Sequence, residues 1–162
     1  MTKYRGSRFH NAENGRRLAK ILYWLTRFTS SSKKIKKIGA VTFELDLREI
    51  IDASLYFAST FEQDVENLFK KYVHENNTVI DVGANIGYHT LHSAEYVGGG
   101  GKVVAIEPNQ WAINRLTRNL ELNPQIQERV HIIKVALSDR DELSQEMSFQ
   151  ASYKLSGKNA AV

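Results

Sequence analysis

Asp81, Gly83, Asn85, Gly87 and Glu107 have the types and the spacing to hold a nucleoside-like ligand. Asp81 falls within an apolar, β-branched run, Thr78-Val79-Ile80-Asp81-Val82, and Gly83-Ala84-Asn85-Ile86-Gly87 follows at once. Strand, glycine turn and helix in that order grip a nucleotide-like ligand at the carboxyl ends of an open α/β sheet. Glycine at 83 lets the backbone take a conformation closed to other residues and come close to the ligand. Glycine at 87 removes a side chain where helix and strand pack. The turn suits a pyrophosphate poorly, because Asn85 stands where a dinucleotide fingerprint needs its third glycine. Asp81 would also repel anionic oxygens at close range. A ligand with no phosphate and a positive charge fits better. Its carboxylate would meet the amides that open the following helix, and its cation would meet Asp81.

S-adenosylmethionine has that chemistry: a sulfonium, an ammonium, one carboxylate, a ribose and an adenine. Glu107 strengthens the reading. It ends the next apolar run, Lys102 to Ile106, twenty residues after Gly87, where a carboxylate can accept both ribose hydroxyls. Val135-Ala136-Leu137-Ser138-Asp139 ends a third run that would border the adenine, although an ordinary polar turn explains Ser138 and Asp139 almost as well. Tyr88 and Trp111 flank the pocket in sequence, where aromatic residues are usually core. His89 and His92 lack the i, i+4 pairing and glutamate of a zinc helix and read as packing or surface residues. No metal site is expected, and no catalytic base can be named.

The elements that must position these groups follow from periodicity. Val41 to Leu47 alternates apolar and polar residues, a half-buried strand. Glu49 to Ser59 reads as helix or turn. A helix is expected from Thr60, with Thr60 and Gln63 as a capping box and Val65, Leu68, Phe69, Tyr72 and Val73 as its buried stripe. Strands over 78–82, 102–106 and 130–137 alternate with helices over 88–97 and 108–122, and a further strand is expected over 148–155. That order implies right-handed parallel crossovers.

Charge is unevenly spread. Residues 1–38 hold eleven Lys/Arg against one acid, and residues 39–162 hold eleven against seventeen. The division expected is a basic N-terminal segment (1–38), with an amphipathic helix on Leu18, Ile21, Leu22, Leu25 and Phe28 and a Ser- and Lys-rich linker over 29–37, followed by a partial cofactor-binding domain (39–162). The basic segment either is a solvated tail or contacts something anionic. Peripheral membrane contact through residues 12–37 is the specific possibility, and no nucleic acid is expected. There is no cysteine, no run long enough for a membrane span and no convincing secretory signal, so a cytoplasmic chain is the default. Oligomeric state is not legible.

The strings Val79 to Thr90, Ala105-Ile106-Glu107-Pro108-Asn109, Asn119-Leu120-Glu121-Leu122-Asn123 and Val135 to Asp139, with Phe61-Glu62 upstream, resemble the FkbM-type methyltransferases, a branch of the class I S-adenosylmethionine enzymes. The resemblance implies an α/β, Rossmann-like class I methyltransferase sheet of parallel strands. It also implies O-methylation of a small-molecule, sugar or other glycan hydroxyl. Carried over, Asp81, Gly83, Ala84, Asn85 and Gly87 would hold the methionine end. Glu107, with Pro108 beside it, would hold the ribose; Ala136 would lie near the adenine, and Glu62 would face the cofactor. The family's next strand, with its acidic motif, and its last helices and hairpin have no counterpart, so an incomplete sheet lacking the C-terminal strands is expected. Such a sheet has an exposed edge. Two other readings stay open: a non-enzymatic remnant that binds a partner or membrane, and a nicotinamide dehydrogenase, which Asn85 and Asp81 disfavour.

Overall fold

The computed structural model describes residues 32–139. The helix expected over 12–28 and the strand expected over 148–155 lie outside them. A hairpin comes first: β1 (Lys33–Ile38) pairs antiparallel with β2 (Val41–Asp46). Helices α1 (Ile50–Ala58) and α2 (Gln63–Tyr72) follow. Then strands and helices alternate: β3 (Thr78–Val82), α3 (Tyr88–Tyr96), β4 (Lys102–Ile106), α4 (Gln110–Glu121), the single turn α5 (Pro124–Gln127) and β5 (Val130–Ile133). The second sheet has the order β3-β4-β5, all parallel. This is the α/β, Rossmann-like arrangement that the alternation of periods implies.

Part of the expected linker is strand. Lys33 to Ile38 pairs with β2, from Lys33 opposite Asp46 to Ile38 opposite Val41, across the expected boundary at residue 38. Two of its four lysines have partners in place: Lys33 Nζ donates to Glu44 Oε1 at 2.8 Å, and Lys36 Nζ to the Leu55 carbonyl at 3.3 Å, at the C-terminal end of α1. A cation there meets the negative end of the helix dipole. Lysine-rich composition obscured a strand that its partners stabilise.

The core lies between the hairpin, α3 and the covered face of the parallel sheet. Phe43, Leu45, Leu55, Leu91, Val97, Val103, Ala105 and Leu116 are fully buried there. Two asparagines fasten it, Asn119 on α4 and Asn123 at the N-cap of α5. Asn119 Oδ1 accepts the Glu44 amide and Asn123 Oδ1 accepts the Thr42 amide, both at 2.8 Å. Asn123 Nδ2 returns a bond to the Thr42 carbonyl at 2.6 Å, so the pair acts as a surrogate strand against the outer edge of β2. Beside them Arg115 Nη2 donates to Asp52 Oδ2 at 2.5 Å, and Asp46 N–H donates to the same oxygen at 2.6 Å. Burial holds the Asp52 carboxyl above the usual range despite Arg115.

Four local expectations are corrected. The capping box at Thr60 does not form: Glu62 is the N-cap of α2 without a side-chain bond, and the Thr60 hydroxyl donates to the Glu66 carboxylate instead. The α2 stripe is only partly covered, since Leu68 is 54% and Tyr72 61% exposed. Helix α4 begins at Gln110, not Pro108, because Asn109 Oδ1 accepts the Trp111 and Ala112 amides and sets the N-cap there. The third strand is also shorter than expected, ending at Ile133. Among the described residues, one face of the parallel sheet is open: Ile80 is 64% and Val82 60% exposed. The outer edge of β3 pairs with no described strand.

Candidate cofactor site

Asp81, the glycine turn, Glu107, Pro108 and Ala136 sit at or just beyond the carboxyl ends of β3, β4 and β5. After β3 the chain turns through Gly83 (φ 81°), Asn85 (φ 49°) and Gly87 (φ 89°), all left-handed, and enters α3. Gly83 is exposed, and a Cβ there would meet nothing within 4 Å. Gly87 is buried, and a Cβ there would stand 2.2 Å from Leu116 Cδ1 and 2.7 Å from Leu91 Cδ1. One glycine leaves open space at the turn; the other lets α3 start against α4.

The turn's amides are already engaged. Gly83 and Ala84 both donate to the Ile106 carbonyl, at 2.8 and 3.1 Å. Asn85 donates to Glu107 Oε2 at 2.9 Å, and Asn109 donates to Glu107 Oε1 at 2.9 Å. The glutamate is 7% exposed. It thus joins the turn after β3 to the turn after β4, and each oxygen keeps a second lone pair. From behind, Asn119 Nδ2 donates to the Ile86 carbonyl at 2.9 Å. Donors for an anion remain at the start of α3, beyond Gly87.

A crevice of 140 Å³ opens over the turn. Asp81, Gly83, Ala84 and Asn85 line it from below, and Phe61 and Glu62 line it from the chain entering α2. Among the described residues, no lysine or arginine is in its lining. The Thr90 hydroxyl donates to Asp81 Oδ2 at 2.5 Å, which fixes that carboxylate. His89 Nε2 lies 3.2 Å from Glu62 Oε2, and its ring stacks on Phe69 with centroids 5.2 Å apart. Sequence reasoning passed over this role for His89. Tyr88 also lines the crevice, and its hydroxyl donates to Glu66 Oε1 at 2.5 Å. Burial and the Glu66 carboxylate push the Tyr88 phenol well above its usual pKa. Burial opposes ionisation of Glu66, but the bonds from Thr60 and Tyr88 outweigh it and leave that carboxyl below its usual range.

The other sequence candidates stand outside this lining. Gly87 is packed under Leu116; Glu107 is behind the turn, with half-buried Pro108 next to it; Ala136 is exposed in the segment after β5. Trp111 lies under the Arg115 guanidinium, 5.1 Å from ring to cation, away from the crevice. A second cavity, of 280 Å³, runs along α3 on the far side of Tyr88 and is lined by Gly39, Glu66, Phe69, Lys70, His92 and Tyr96, among others. Burial, only partly offset by Glu66, drives the His92 imidazole down to about 4.

Solved structures share the fold. A Pyrococcus horikoshii protein described as a transferase is 20% identical, with a TM-score of 0.50 over 78% of this chain and 50% of its own. TYW2 of M. jannaschii, solved in complex with AdoMet, is 27% identical with a TM-score of 0.48, over 65% of this chain and 44% of its own. A SAM-dependent O-methyltransferase of Thermotoga maritima is 24% identical with a TM-score of 0.45, over 63% of this chain and 40% of its own. The chain therefore spans half or less of the length of each. No curated protein matches it. The model of the TRM5/TYW2 methyltransferase domain matches residues 36–152, from the β1–β2 hairpin through the parallel sheet and beyond. By that match the chain belongs to the TRM5/TYW2 methyltransferase domain family.

Proposed function

We infer that the chain binds S-adenosylmethionine over the tips of β3 and β4 and serves methyl transfer. The observation that carries this is the acidic crevice: Asp81 and Glu62 converge on a small cleft that has no lysine or arginine among its described lining residues and that includes Asn85, whose amide Glu107 holds. Two carboxylates suit the ammonium and sulfonium of that cofactor and disfavour a pyrophosphate. Its size suits the amino-acid end of the molecule, with the ribose reaching toward the free lone pairs of Glu107. Asp81 and Glu62 would orient the cationic end, Gly83 would leave room for it, and Phe61 and Ile51 would exclude water. Pro108 and Ala136 would border the nucleoside. When bound, the cofactor supplies an electrophilic methyl group; the chain's part is alignment and desolvation.

Membership in the TRM5/TYW2 methyltransferase domain family is the ground for proposing a transfer-RNA acceptor. The positive charge of residues 12–37 supports contact with its phosphates, or with an anionic membrane in the alternative reading. The FkbM-like motifs support a second acceptor class, a sugar or natural-product hydroxyl. Tritium transfer from labelled cofactor to unmodified tRNA and to glycans separates the acceptor readings, and flotation of the chain with anionic vesicles tests the membrane contact. Label in tRNA supports the first, and label in glycan alone would replace it with the second.

A further inference from the structure

Glu66 joins the two walls of the crevice without lining it. Its Oε1 accepts the hydroxyl of Thr60, on the stretch that carries Phe61 and Glu62 to one wall. The same oxygen accepts the Tyr88 hydroxyl at 2.5 Å, from the first residue of α3, which forms the other wall. The Glu66 amide also donates to the Glu62 carbonyl at 3.0 Å, closing the first turn of α2 beneath that stretch. The rest of α2 offers little fixation, since none of its residues is fully buried. The Thr60 and Tyr88 hydroxyls also lie within hydrogen-bond reach of each other, and this carboxylate holds both.

We propose that Glu66 is a positioning residue: it clasps the Thr60–Glu62 stretch to Tyr88 and so sets the width of the cofactor crevice. The proposal rests on the cofactor reading above. An ionised carboxylate is a strong acceptor for two hydroxyls at once, and bonds to it are worth more than neutral ones. The opposing wall needs such a fixed point because Phe61 is 43% exposed and cannot anchor itself by burial. His89, 3.2 Å from Glu62, adds a second tie, so that Phe61 and Glu62 face Asp81 across a preset gap. Preorganising a wall in this way lowers the ordering cost of binding.

The test compares wild type, Glu66→Ala, Glu66→Gln and Thr60→Val in the full chain. S-adenosylmethionine is titrated by calorimetry, and hydrogen exchange is followed at the amides of residues 60–63 in the ligand-free protein. Glu66→Ala and Thr60→Val are expected to weaken binding roughly tenfold, the lower end of what one hydrogen bond to a charged group contributes. Exchange at 60–63 should quicken in both, while β3 to β5 remain protected. Glu66→Gln keeps an acceptor oxygen and should recover most of the affinity, which a general loss of stability would not allow. Unchanged affinity and exchange in Thr60→Val and Glu66→Ala would overturn the clasp alone. Absence of binding in wild type would overturn the cofactor reading and the clasp's function with it, even if exchange at 60–63 still responded to the variants.

Discussion

The Glu107 carboxylate holds the glycine turn through Asn85, accepting its amide on Oε2 at 2.9 Å while Oε1 accepts the Asn109 amide at the same distance. The residue read from sequence as a ribose ligand is therefore also the brace between two strand tips. A ribose held by Glu107 would use the same atoms, because each oxygen gives one lone pair to the protein and keeps one for a diol.

That double role shapes the outcome of substitution. Glu107→Ala leaves two backbone amides without their acceptor and should cost about 2–4 kcal/mol of stability. It should also weaken S-adenosylmethionine binding by roughly ten- to hundredfold. Urea unfolding and a titration isotherm read the two effects separately. An unchanged isotherm in a folded variant would exclude the ribose role.

The two left-handed glycines should respond differently. Gly83→Ala meets open space and is burdened only by its φ of 81°, a cost of about 1–2 kcal/mol. Gly87→Ala adds a clash with Leu116 and Leu91, and should cost about 2–5 kcal/mol in total. Equal unfolding midpoints for the pair would contradict the packing described at the start of α3.

Asn119 is fully buried and serves two elements at once, the Glu44 amide on β2 and the Ile86 carbonyl in the turn. Asn119→Ala leaves both without partners and should destabilise by about 2–5 kcal/mol. Asn119→Asp retains the acceptor for Glu44 but turns a second oxygen toward the Ile86 carbonyl, so it should not rescue. Denaturant midpoints of the two variants check this.

His92 supplies a pH dependence. Its imidazole is held near 4 by burial, against an ordinary value of 6.5, so the folded state binds fewer protons than the unfolded state between those values. Its contribution is complete above pH 6.5 and is lost as pH falls toward 4, by up to roughly 3 kcal/mol. Stability measured at pH 7, 5.5 and 4 should fall in wild type and fall less in His92→Gln. Parallel curves would place the acid sensitivity elsewhere.

The parallel sheet and its glycine turn were legible because strand, turn and helix there are specified locally, by β-branched runs and by Gly83 and Gly87. β1 was not, because four lysines in six residues look like solvent-facing linker until Glu44 and the end of α1 are in place as partners. Thr60 and Gln63 fit a capping pattern that Glu66 overrides from six residues along the chain. His89 carries no sequence signal of its own, since its neighbour Glu62 is twenty-seven residues away. The sequence showed where the acids at the strand tips would be, but not that the protein's own amides occupy half of Glu107.

Titrating the full chain with S-adenosylmethionine, and in parallel with NAD, tests the central claim most directly. Saturable one-site binding of S-adenosylmethionine, weakened in Asp81→Asn and absent with NAD, is the expected result. No saturable heat with S-adenosylmethionine in a folded protein, or saturation by NAD alone, would contradict the account.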